Sequence, residues 1–116
     1  MKMYFFLCCL VIISCARKFD ENKKAQLWIM MKSNNVDSII KAVMEIQEVN
    51  DTSMIDALLY KPNDPRITHN LLYKGMSVYQ IKMTALKKII NLDPPKPITY
   101  EVDTTVIEFY VRSLNR

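Results

Sequence analysis

From Val36 onward the apolar residues fall at Val36, Ile39, Ile40, Val43, Met44 and Ile46. This is the i, i+3, i+4, i+7 spacing that gathers side chains on one face of a helix. Such a stripe needs another apolar surface to cover it, and the chain supplies several. Leu27, Trp28, Met30 and Met31 mark an apolar side within 23–33, and Met54, Ile55, Leu58 and Leu59 form a stripe within 52–60. Val78, Ile81, Ala85, Leu86 and Ile89 form another within 78–90. Punctuation separates them: Asn34-Asn35, Asn50-Asp51, Pro62, the turn Asn63-Asp64-Pro65, the single glycine Gly75, and Asp93-Pro94-Pro95-Lys96-Pro97. Proline and asparagine interrupt helices here, while Asp51, Ser77 and Asp103 are side chains that cap them. The pattern predicts an all-α chain of about five helices, the last over 104–114.

Two segments fall outside this rhythm. Residues 61–76 contain Ile67, Leu71, Leu72 and Tyr73, and residues 93–102 end in Ile98-Thr99-Tyr100-Glu101-Val102. Their β-favouring residues predict that the two inserted loops pair as a small β-hairpin-like element, the alternative being two packed loops.

The helices also echo one another. Ala42-Val43-Met44-Glu45-Ile46 matches Ala85-Leu86-Lys87-Lys88-Ile89 at an offset of 43 residues, and Asp51-Thr52-Ser53-Met54-Ile55-Asp56 matches Asp103-Thr104-Thr105-Val106-Ile107-Glu108 at an offset of 52. The segment Val78 to Ile89 resembles the second helix of a HEAT repeat, and Asp64-Pro65-Arg66 resembles the turn between the paired helices. That resemblance implies a short HEAT-like helical repeat, stabilised by stacking and binding partners along an extended surface. The dozen residues between that turn and Val78 depart from the pattern.

The N-terminus is of a different kind. Met1-Lys2-Met3 carries one positive charge, Tyr4 to Ile13 is uncharged, and the small Ser14 precedes Cys15. This is the order of an export signal, with an apolar run far below the ~20 residues of a membrane span. Ile12, Ser14 and Cys15 resemble the lipobox of bacterial lipoproteins, which implies lipidation of Cys15 and cleavage before it. Ordinary cleavage after Ala16, releasing a soluble secreted protein, is the alternative. The expected organisation is a signal segment over 1–15, a tether over 16–22 and a helical domain over 23–116. The expected location is a cell membrane or outer membrane.

Little in the remainder points to chemistry. Cys8 and Cys9 fall in the signal segment, so removing it leaves no cysteine for a disulfide or a thiolate metal site beyond Cys15. The chain has 16 Lys+Arg against 12 Asp+Glu, and loss of Lys2 leaves 15 against 12. Charges this mild and scattered describe a solvated surface and not a nucleic-acid footprint. The lone His69 has no serine or cysteine beside it to form a nucleophile and base, the ligand spacings of zinc are missing, and one glycine cannot build a phosphate-binding loop. Met30, Met31, Met44, Met54, Met76 and Met83 read as core filling and not as a copper site.

The expected function is therefore a non-enzymatic interaction or scaffold module. It would carry no cofactor, would bind the membrane through its lipid and a protein partner along Tyr79, Lys82 and Lys87, and would bind no nucleic acid. The rival expectation is an enzyme or small-ligand carrier with a site around His69, Tyr73 and Tyr100.

Overall fold

A computed structural model describes residues 18–114. They form an all-α domain with five helices: α1 (Glu21–Met31), α2 (Val36–Val49), α3 (Ile55–Leu58), α4 (Val78–Ile90) and α5 (Thr104–Ser113). Helix α4 is the centre. Its buried residues are Val78, Tyr79, Ile81, Lys82, Met83, Ala85, Leu86 and Ile89, so it is covered on nearly every side. Helix α2 packs chiefly on α4 and α1, while α3 and α5 close the remaining flanks of α4.

Short side chains set the helix starts. Asp20 accepts from the Lys23 N–H, Asn35 from Asp37 and Ser38, and Asp103 from Thr105. Each satisfies donors that a first turn leaves without an intrahelical acceptor. Helices α2 and α4 end at Asn50 and Asn91, both left-handed with φ of 63° and 61°. Asparagine tolerates that conformation better than most residues.

Helix α1 begins at Glu21, so the tether expected over 16–22 is already folded before its end. Phe19 packs against the core, and its N–H donates to Asp51 Oδ2 at 3.1 Å. The helix expected over 52–60 is instead a 3-10 turn, Thr52–Met54, followed by the single turn of α3. Lys61, held at φ 43° before Pro62, cannot continue it. The repeated Asp-Thr-Ser and Asp-Thr-Thr segments nonetheless share a cap. Asp51 Oδ1 accepts from the Ser53 N–H at 3.0 Å and Asp103 Oδ1 from the Thr105 N–H at 2.9 Å. Met44, placed on the apolar stripe of α2, is largely outward-facing.

The two inserted segments do not form the expected β element. The described residues contain no strand, and the single antiparallel bridge joins Ile67 to Ser77. The first insertion folds back on the start of α4: Val78 N–H donates to Arg66 O and Tyr79 N–H to Asp64 O, both at 2.9 Å. Gln80 N–H reaches Ser77 Oγ and Ile81 N–H reaches Ser77 O, each at 3.0 Å. Every N–H of the first α4 turn thus has an acceptor, and the carbonyls that an edge strand would have offered are used. Residues 98–102 lay Ile98 and Val102 against the core without strand geometry.

Ser77 is fully buried, and its side chain and that of Gln80 form a reciprocal capping box. Ser77→Ala is expected to lower stability by about 1 kcal/mol, read as a lower urea midpoint at unchanged slope. An unaltered midpoint would show that the insertion alone secures the helix start.

Candidate functional site

The three residues expected to line a partner surface do not share one. Tyr79 is fully buried, with its hydroxyl 3.5 Å from Asp103 O, and Lys82 is 1% exposed. Only Lys87 is solvated, in the last turn of α4, where its charge complements the helix C-terminus. The correction has a geometric cause. Lys82 lies four residues after Val78 and four before Leu86, so it sits on the buried stripe that those residues define.

Lys82 instead anchors a polar junction. Its Nζ donates to Tyr60 O at 2.6 Å and Lys61 O at 3.4 Å, carbonyls that the short α3 leaves beyond its end. Beside it, Arg66 grips Asp64 through Nε to Oδ1 at 3.0 Å and Nη2 to Oδ2 at 2.6 Å, and Nη1 donates to Asn34 O at 2.9 Å. One charged cluster therefore pins the α1–α2 connector and the chain after α3 to the central helix. A cavity of about 40 Å³ lies among Met31, Ile39, Tyr60, Asp64, Arg66 and Lys82. It has room for water but not for a substrate.

Burial holds the Lys82 ammonium down to about 8, with Arg66 and Lys61 acting in the same sense and Asp64 opposing. Burial also pushes Asp64 upward, but the Arg66 hydrogen bonds and the Arg66 and Lys82 charges outweigh it and hold the carboxyl below its usual range. The Asp64 hydrogen bond, opposed by burial, raises Arg66. Asp51 follows the same logic: burial raises it, while the Ser53 and Phe19 N–H donors and the Lys24 charge prevail and lower it.

The rival site is not assembled either. His69 is exposed and lines an open depression with Asn35, Asp37 and Thr68, whereas Tyr73 lines a different groove and the exposed Tyr100 lines neither. Thr68, next to His69, is committed elsewhere: its hydroxyl donates to Asp37 Oδ1 at 2.9 Å and accepts from the Asn70 N–H at 3.0 Å. Asn70 Oδ1 in turn accepts from the Leu72 N–H at 2.9 Å. These contacts stiffen the insertion, as side-chain caps do in turns.

At the tip of the stiffened insertion is a feature that periodicity did not reveal. The 3-10 turn Leu71–Tyr73 holds Leu71 91% exposed and Leu72 80% exposed. Leu72, Tyr73 and Met76 border a mainly apolar groove of about 150 Å³ whose other wall is Met44, Gln47, Ile81 and Thr84. Two adjacent leucines in a short polar segment were the available signal, since a one-turn element cannot turn both toward a core.

Among the described residues no group of three or more His, Cys, Asp or Glu is placed to hold a metal ion, and no helix is long and apolar enough to cross a membrane. Cys15, with Ile12, Ser14 and Ala16, lies outside the described residues. No protein-family model, curated protein or solved structure matches the chain.

The junction makes stability depend on pH. Below pH 8 folded and unfolded chains both hold the Lys82 proton, and the full burial cost is present. Above pH 8 only the unfolded chain holds it, so stability rises, by about 2 kcal/mol between pH 8 and pH 10. Near pH 10 Tyr110 begins to oppose the gain. Burial, with Asp93 and Tyr79, pushes its hydroxyl up to about 12, so the unfolded chain ionises first. Urea midpoints are expected to climb over pH 8–10 in the wild type and to stay level in Lys82→Met; a flat wild-type profile would refute a desolvated ammonium. In acid, Asp51 and Asp64 supply stability that is present above the ordinary carboxylate range and lost as pH falls through their lowered values.

Proposed function

We propose that the protein is a non-enzymatic interaction module held at a bacterial cell envelope by a lipid on Cys15. The observation that carries this reading is the resemblance of Ile12, Ser14 and Cys15 to a lipobox; Phe19, whose N–H donates to Asp51 and whose ring packs on the core, sets where the folded body begins. Cys15 precedes Phe19 by four residues, a reach of at most ~14 Å. A lipid there would hold a folded body directly against the bilayer, with no long flexible tether. Several acyl chains at ~0.8 kcal/mol per buried CH₂ would make that attachment durable where one chain would not.

Within the domain, Lys82, Arg66 and Asp64 hold backbone carbonyls and each other, a structural role. A HEAT-like reading of the helices belongs to the same proposal. It rests on the shared Asp caps of the matched segments, and partner contact would then use the exposed sides of α1 and α5 along with Lys87.

Metabolic labelling with palmitate tests the anchor. The full chain is expected to incorporate label and to fractionate with membranes, and Cys15→Ala to lose both. Recovery of an unlabelled chain beginning at Arg17 would sink the anchor and leave a secreted protein. Crosslinking in intact cells, followed by identification of the captured species, tests the interaction role.

A further inference from the structure

We infer that the Leu71–Leu72 tip is a second membrane contact, dipping into the same lipid surface that receives the proposed Cys15 anchor. This rests on the anchored reading and adds an orientation to it.

The geometry comes from α2. Asp37, Lys41, Met44 and Glu48 recur at helical spacing and form its outward strip, all exposed. Lys18 and Phe19 lie on one flank of the strip, bordering a depression with Glu45, Glu48 and Val49. Leu72 and Tyr73 lie on the other flank, bordering the groove with Met44 and Gln47. The entry point of the N-terminal chain and the exposed leucines therefore flank one exposed helix strip, at least a helix diameter, about 10–12 Å, apart. A lipid on Cys15 brings that face to the bilayer, and the most exposed apolar side chains on it are Leu71 and Leu72.

The face carries charges of both signs, with a lysine beside the leucines. Lys18, Lys41 and Lys74 are exposed on this face, and Lys74 directly follows the leucine turn. Of the acidic groups, Glu45 is paired with Lys23 at 2.8 Å, while Asp37, which accepts from the neutral Thr68 hydroxyl, and Glu48 both stay on the strip. Exposed leucines followed directly by Lys74 suit a membrane interface, where apolar burial and attraction of the ammonium to lipid phosphates add. The rigid insertion also limits the ordering cost, since Thr68 and Asn70 already fix the turn.

Position-specific fluorescence tests the contact in the full chain purified from membranes and reconstituted into vesicles of phosphatidylethanolamine and phosphatidylglycerol. An environment-sensitive fluorophore is attached at Leu72→Cys and, for comparison, at Ile29→Cys on the outer side of α1. Both native side chains are exposed, so both variants should fold. Expected are a blue-shifted emission at position 72, quenching there by spin-labelled lipid several-fold stronger than at position 29, and loss of that difference when Leu71→Glu is added. Equal quenching at the two positions, in protein that carries palmitate, would overturn the contact and leave the anchor standing. Protein lacking palmitate would overturn the anchor, and the same quenching of that protein added to vesicles would then judge the contact alone. A blue shift at position 72 that appears without vesicles would overturn the inference in favour of a second copy of the chain covering the leucines.

Discussion

The start of α4 is the constraint on which the rest of the domain depends. A helix buried on nearly every side cannot leave its first-turn N–H groups to water, and an unpaired buried amide costs about as much as a lost hydrogen bond. Ser77 supplies acceptors for Gln80 and Ile81, and the carbonyls of Arg66 and Asp64 supply those for Val78 and Tyr79. The latter two come from a segment with few apolar contacts of its own. The long insertion between α3 and α4 is thus part of the capping of the central helix, and its path is dictated by those bonds. The Asp64–Arg66 pair and Lys82 then hold the same segment from the side.

This arrangement explains why charge is buried at the junction at all. Lys82 costs roughly 3 kcal/mol by its depressed pKa alone, yet α3 ends after one turn and presents carbonyls with no helical partner. An ammonium is the side chain that can satisfy two such carbonyls at once while resting beside a carboxylate. The short α3 and the buried lysine belong together. A longer α3 would have used its own carbonyls and left Lys82 unpaired in the core.

Local chemistry was the legible part of the sequence. The span of α4, its Ser77 cap, the Asp51 and Asp103 caps and the stripes of α2 and α4 follow from spacing and capping that act over a few residues. What was not legible depends on distant partners. The β-favouring residues of 98–102 point to a strand, but Ile98 and Val102 lie on the core without one. The charge of Lys82 points to the surface and its position on the stripe to the core, and charge is the poorer guide when distant carbonyls can pair with it. The charged neighbours of Phe19 and Asp20 suggest a tether, since nothing nearby discloses that Asp51, 32 residues on from Phe19, accepts its N–H.

The exposed leucines invert the logic of the junction. Where a buried polar group must be satisfied by something inside the fold, two adjacent, almost fully exposed leucines gain little from it. Leu71 and Leu72 add little to the stability of the domain, yet Asn70, Thr68 and Asp37 spend three hydrogen bonds fixing the turn that presents them. A loop that merely had to cap α4 could have carried polar residues at its tip, as the turn at Asn63 does. The stiffness of the turn and the apolarity of its tip are separate properties. Their coincidence on the face where the N-terminal chain enters marks that face as the one a surface outside the domain selects.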